Sequence, residues 1–200
     1  MVGAFAVLMF SLSPLAIYFQ RRVLLDNIMV FWLLLSVVFV IFSKQRLRWI
    51  IASAVTFGIA VLSKESAIFF LPFMAVLVYS QLHKINRVFG TIKWIAVAGV
   101  IISLYFIFSM FKGEFFPAGT YLGGPNEHVS LLGTLQFQGS RGNVSIFNPG
   151  SSFWEMTGNW KNDDPSLLIV GAISTIITLI FAIRSVAARI IAGLAVSYWA

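Results

Sequence analysis

Cysteine is absent from the 200 residues, and charge is scarce: 7 acidic and 14 basic residues make up only 10% of the chain. Without cysteine there is no disulfide framework, no Cys-ligated zinc and no thiol catalysis. Soluble domains carry roughly 25% charged residues, so this chain has too little charge to coat a water-exposed globule. It is instead 59% apolar, with 20 Phe and 6 Trp, and would expose far more apolar surface than soluble monomers tolerate. Also missing is a Gly-rich phosphate loop ending in Lys-Ser/Thr, so nothing points to an ATP-driven pump. The net charge of +7 would suggest nucleic acid in a soluble chain. In a membrane chain, basic residues first report topology, and no nucleic-acid partner is expected. The composition is that of an integral membrane protein.

A spanning helix needs about 20 mostly apolar residues, with roughly 17 to 25 the usual range. Residues 2–19 are the first candidate, with Pro14 as a kink. No basic n-region precedes this run and no small-residue cleavage site follows it, which argues against a signal peptide. Residues 28–43 are the second candidate. The run 49–82 is apolar except for Ser63-Lys64-Glu65-Ser66 at its middle. As one straight helix it would be about 51 Å long, against a hydrocarbon core of about 30 Å. Charges at the bilayer centre would also cost at least ~2.5 kcal/mol each. Two short spans, 49–62 and 67–82, meeting at Lys64-Glu65 remove both difficulties. Further spans are expected at 91–111 and 166–183. The last apolar run, from Ile190, leaves about eleven residues before the terminus, too few to cross.

The expected architecture is therefore all-α and polytopic, about six spans plus an incomplete seventh, and the chain reads as a fragment. Residues 1–111 form transmembrane helices with short loops, 112–164 an outer loop, and 165–200 transmembrane helices with the last one truncated. Alternating the loops puts Lys44, Arg46, Arg48, Lys84, Arg87, Lys93, Arg184 and Arg189 on one side, with no acid among them. The other side receives Arg21, Arg22, Lys64, Lys112, Arg141 and Lys161 together with all seven acids: Asp26, Glu65, Glu114, Glu127, Glu155, Asp163 and Asp164. By the positive-inside rule the first side is cytoplasmic, although Arg21-Arg22 vote locally against it. The N-terminus is then inside and the 112–164 loop outside.

Three polar concentrations fall on the outer side. In Gln20-Arg21-Arg22-Val23-Leu24-Leu25-Asp26-Asn27, two guanidiniums and a carboxylate suit a phosphate and a positioned hydroxyl or metal. Snorkelling arginines beside a capping Asp-Asn are the plainer reading. Lys64-Glu65 is either an ion pair closing a tight turn or a place where the lysine joins Arg21 and Arg22 on an anionic headgroup. The 53 residues of 112–164, with nine Gly, are too many for a simple connector. They form either a substrate lid or a floppy glycosylatable loop, in which Asn143-Val144-Ser145 is a weak acceptor sequon. Phe115-Phe116-Pro117, Phe153-Trp154 and Trp160 suit the membrane interface. Asp163-Asp164-Pro165 looks like a helix start, with acids at the favourable end of the dipole and Pro in the first turn. His83 and His128 stand alone. No metal site, divalent cation or other cofactor is indicated.

Two of these stretches carry a family resemblance. Tyr18-Phe19-Gln20-Arg21-Arg22-Val23-Leu24-Leu25-Asp26-Asn27 resembles the Arg-x-x-Leu-Leu-Asp stretch of the membrane glycosyltransferases of family 39, the protein O-mannosyltransferases and their aminoarabinose transferase relatives. Gly58-Ile59-Ala60-Val61-Leu62-Ser63-Lys64-Glu65-Ser66-Ala67-Ile68, followed by Leu71-Pro72, is similar to the family's Gly-x-Ala-x-x-(Ser/Thr)-Lys-x-x-x-(Ile/Leu) signature. The pair stands in the expected order, about forty residues apart. The resemblance implies a polytopic GT-C fold that takes a sugar from a polyprenyl-phosphate carrier at the outer face with inversion. A bacterial or archaeal plasma membrane is the expected location, because no eukaryotic retention signal is visible. It implies Arg21 and Lys64, with Arg22 as a third, on the donor phosphate, and Asp26 positioning substrate or supporting the site. The family's catalytic acid lies in an outer loop with no counterpart here, so the general base is expected outside this chain. The rival reading is a non-catalytic membrane protein, a transporter half or scaffold, whose outer arginines bind anionic lipid. The spans favour the transferase, because their polar residues are mainly Ser and Thr, including Ser36, Ser53 and Thr56, which serve helix packing in lipid. The sugar and the acceptor are not legible.

Overall fold

The computed structural model describes residues 7–8, 10–21, 25–43, 46–120, 123, 129–140 and 148–199. Among these the regular structure is helical, without strands: α1 (Pro14–Arg21), α2 (Leu25–Ile41), α3 (Leu47–Ser63), α4 (Leu71–Gln81), α5 (Arg87–Lys112), α6 (Leu131–Ser140), α7 (Ser152–Asp163), α8 (Pro165–Phe181) and α9 (Val186–Trp199). Short 3-10 turns occupy Glu65–Phe70 and Lys84–Asn86. The chain divides into a unit of residues 1–102 with 164–200 and a second unit of residues 103–163.

The first unit is organised by the α2–α3 hairpin. Phe39 stacks near Trp49, Ser36 bonds Ser53 and Asp26 pairs with Lys64, so the helices run antiparallel. On α2 the buried positions Met29, Leu33, Val37 and Val40 recur at helical spacing. On α3 Ile50, Ala54, Phe57 and Ala60 do the same. Helix α5 lies alongside α3 in the same direction. The Trp94 indole N–H donates to Ser53 Oγ at 3.1 Å, and two turns on Gly58 faces Ile101. Ser36 Oγ in turn donates to the Ser53 carbonyl at 2.8 Å. Ser36, Ser53 and Trp94 are fully buried, and one small polar network thus ties three helices together. In an apolar surround such groups are stable only when satisfied. Small side chains at Ser53, Ala54 and Gly58 are what let the backbones approach this closely.

Helix α5 is long and apolar enough to cross a bilayer. Helices α2 and α3, at 17 residues each, span about 25 Å. The outer faces of the unit are apolar: on α8 the side chains of Ile169, Ile173, Ile176 and Ile180 are each more than half exposed.

In the first apolar stretch the helix is interrupted at Ser13 and resumes at Pro14 as α1, at the proline where a kink was expected. Pro14 has no N–H to give, and Ser13 Oγ instead accepts from the Ala16 N–H at 3.1 Å. The 112–164 segment is not a plain loop, since it contains α6 and α7.

In the second unit α5 ends at Gly113, whose φ of 71° only glycine adopts without strain. Gly113 N–H bonds Met110 O at 3.0 Å and Glu114 N–H bonds Ser109 O at 3.0 Å, which is a Schellman stop. The strand-like turn that follows returns its carbonyls to α6: Glu114 O and Phe115 O accept from Leu131 and Leu132 N–H. Phe106, Phe115 and Phe116 stack edge to face beside this turn. The Asn143 sequon and His128 lie outside the described residues.

Candidate functional site

The site forms where the end of α3 meets the start of α2. Helix α3 halts at Ser63 because Lys64 adopts an extended backbone, φ −156° and ψ 126°. Its N–H still closes the helix on Ala60 O at 3.1 Å, and its carbonyl accepts from Ala67 N–H at 3.1 Å, starting the 3-10 turn. The interruption expected at residues 63–66 therefore centres on Lys64.

The Lys64 side chain donates to Asp26 Oδ1, joining residues 38 positions apart. Asp26 sits in the first turn of α2 and Lys64 at the C-cap of α3. An anion is stabilised at a helix N-terminus and a cation at a C-terminus. Antiparallel packing sets those two ends side by side, so the pair complements both dipoles as well as each other. The lysine side chain is 34% exposed and the aspartate 47%. Such a half-exposed pair contributes only about 1 kcal/mol or less to stability. Lys64 has three N–H donors, of which Asp26 engages one. The arrangement presents an oriented, accessible ammonium beside a carboxylate at the rim of an apolar helix pair. An ammonium so placed can donate to an anionic oxygen, such as that of a phosphate.

The other expected residues are placed as follows. Arg21 is the last residue of α1, four positions before α2 begins, and its side chain lies outside the described residues, as does all of Arg22. Glu65 opens the 3-10 turn and is exposed. His83 is exposed at the start of the second 3-10 turn. Among the described residues no group of three or more His, Cys, Asp or Glu comes together.

A second polar cluster was only half legible. Asp164 caps α8 as expected: its Oδ1 accepts from the Leu167 N–H at 3.0 Å and from Ser166 Oγ at 2.6 Å. Its other oxygen accepts from Ser13 Oγ at 2.5 Å, 151 residues away. Ser13 itself caps α1, so one carboxylate serves two helix starts, each followed by proline. The hydrogen bond from Ser13, then those from Ser166 and the Leu167 N–H, lower the Asp164 pKa from 3.8 to about 2 against the opposing effect of burial. This acid is held ionised and is unsuited to accept a proton. The repeated Ser/Asp-Pro junctions were the available signal, but nothing local says that they meet.

Among the described residues the chain is helical, with the Asp26–Lys64 ion pair at one end of a helix hairpin. The family model for dolichyl-phosphate-mannose-protein mannosyltransferase matches residues 1–111, more than half of the chain, and the protein belongs to that family. The matched region contains both resembling motifs and the Asp26–Lys64 pair that joins them. No curated protein and no solved structure matches the chain.

Proposed function

We propose that this chain is the donor-phosphate part of a multi-pass glycosyltransferase acting at the outer face of a bacterial or archaeal plasma membrane. It uses a polyprenyl-phosphate sugar. The observation that carries this reading is the Asp26–Lys64 pair, which brings the two family motifs to one end of the hairpin. Transfer proceeds with inversion: the acceptor hydroxyl attacks the anomeric carbon while the polyprenyl phosphate departs with the bonding electrons. Negative charge grows on the departing phosphate, where preorganised donors lower the barrier most. Lys64 supplies such donors from a backbone position that cannot swing with a helix. Arg21 and Arg22 complete the phosphate site from the segment leading into α2. Asp26 orients the ammonium. Residues 1–111 and 165–200 lie in the membrane, with the 112–164 region outside it. No general base is assigned to this chain.

The test is transfer from a polyprenyl-phosphate sugar by the full protein reconstituted in liposomes. Lys64→Ala is expected to lower turnover by about 10² to 10³, the usual effect of losing one preorganised donor, with Lys64→Arg recovering part of it. Arg21→Ala is expected to act in the same direction. Undiminished transfer by well-expressed Lys64→Ala protein would overturn the assignment.

A further inference from the structure

The opposite end of the hairpin carries a different surface. Helix α5 rises beside α3 in the same direction, Trp94 meeting Ser53 and Phe57, and Ile101 meeting Gly58. The first turn of α5 therefore stands level with the first turn of α3. Arg46 and Arg48 flank the start of α3, Lys84 and Arg87 the start of α5, and Lys93 lies in the second turn of α5; the sequence places no Asp or Glu between Glu65 and Glu114.

The cations are held at the edge of apolar surface. The Arg48 guanidinium lies over Trp49 at 5.7 Å, Arg87 over Tyr79 at 5.4 Å and the Lys93 ammonium over Phe89 at 4.3 Å. Arg87 Nε also donates to Leu82 O at 3.0 Å, pinning the side chain. Between Lys84 and Lys93 runs a stripe at helical spacing: Ile85, Val88, Phe89 and Ile92 are 85%, 63%, 62% and 57% exposed. The other side of the same turns is buried, with Leu82 seated over Gly90 and Trp94 in the core. The segment thus turns one face to the protein and offers the other, apolar and bracketed by fixed cations, to its surroundings.

We infer that residues 84–93, with Arg46 and Arg48, form a binding surface for anionic phospholipid headgroups in the leaflet at this end of the bundle. The inference rests on the membrane reading given above but not on the transferase activity. An acidic protein would satisfy the cations but would leave Ile85, Val88, Phe89 and Ile92 to be matched separately. A leaflet satisfies both at once: acyl chains cover the stripe, and headgroup phosphates meet ammonium and guanidinium groups at its rim. Aromatic rings under the cations suit this depth, since amphipathic side chains settle at the headgroup level.

The experiment measures the relative affinity of spin-labelled phosphatidylglycerol over phosphatidylcholine at the protein surface, using full-length protein in phosphatidylcholine vesicles. The unaltered protein is expected to prefer phosphatidylglycerol, and 1 M salt is expected to erase the preference by screening beyond about 3 Å. The triple variant Lys84→Gln, Arg87→Gln, Lys93→Gln is expected to reduce it by about tenfold or more, since each surface cation is worth roughly 1 kcal/mol, or about fivefold. Lys84→Arg with Lys93→Arg is expected to retain it, and Lys161→Gln, in the second unit, to leave it unchanged. If the triple variant fails to reconstitute, the salt dependence and Lys93→Gln alone carry the test. Equal affinity for the two lipids, or a preference indifferent to these residues, would overturn the inference. Saturable capture of an acidic protein with no lipid preference would do so too. Failure of the unaltered protein to enter vesicles would instead overturn the membrane reading beneath it.

Discussion

The close approach of α3 and α5 makes a sharp prediction at Gly58. A Cβ built there would lie 2.7 Å from both Ile101 Cβ and Ile101 Cγ2. Ile101 Cβ is fixed to its own backbone, so no rotamer change relieves the clash, and the helices must separate. Overpacking of this kind costs typically 1–3 kcal/mol. Replacing glycine within a helix recovers up to about 1 kcal/mol of propensity, so Gly58→Ala is expected to destabilise by roughly 1–2 kcal/mol, and Gly58→Val by more. Gly99 on α5 is the internal comparison, because a Cβ there meets nothing within 4 Å. Gly99→Ala keeps the propensity gain without the clash and is expected to stabilise by about 0.4–1 kcal/mol. For a chain of this size each kcal/mol moves Tm by about 2–4 °C. Thermal unfolding of the purified protein in detergent, followed by size-exclusion fluorescence, therefore separates the two variants by several degrees in opposite directions. Equal midpoints would refute the claim that a close α3–α5 contact requires glycine at this position.

Trp94→Phe keeps the ring against Phe57 but leaves Ser53 Oγ without the indole donor; it is expected to lower stability by about 0.5–1.5 kcal/mol, read by the same melt, and no loss would show that the bond contributes nothing. Asp164 has its pKa lowered on folding, so its contribution is complete above the ordinary value of 3.8 and disappears as pH falls through about 2. Midpoints of the unaltered protein are expected to fall between pH 4 and pH 2 more steeply than those of Asp164→Asn, and parallel curves would remove Asp164 as the linked group. Because the chain has no cysteine, single cysteines at Glu65 and at Arg46 report topology directly. A membrane-impermeant maleimide is expected to label Glu65→Cys in intact cells and Arg46→Cys only after lysis, while labelling of both in intact cells would contradict the orientation.

Local pattern was enough to read the helices. The apolar runs that became α2, α3 and α5 are each continuous over about four turns or more, and a helix satisfies the backbone groups of such a run internally. The break at Lys64 was legible for an equally local reason, since a charged residue in the middle of an over-long apolar run forces the chain to turn. The start of α8 was legible from Asp164-Pro165, where a capping oxygen precedes a residue that needs no N–H partner. Helices α6 and α7 were not, because Gly and polar residues weaken every periodic signal between 112 and 164.

Which ends meet was decided only in three dimensions. Lys64 was read either as paired with Glu65 or as joining Arg21 and Arg22, and its contact with Asp26 comes about because the antiparallel hairpin sets the end of α3 against the start of α2. Asp164 was read as a cap for its own helix, yet it also holds Ser13. Ser36 and Ser53 were read as packing residues, but their link to Trp94 depends on α5 lying parallel to α3 at one particular height. A residue's helical state depends on its neighbours within a turn or two, and those neighbours are written beside it. A hydrogen bond across 38 or 151 residues depends on how whole helices stack, which no residue adjacent to the bond decides.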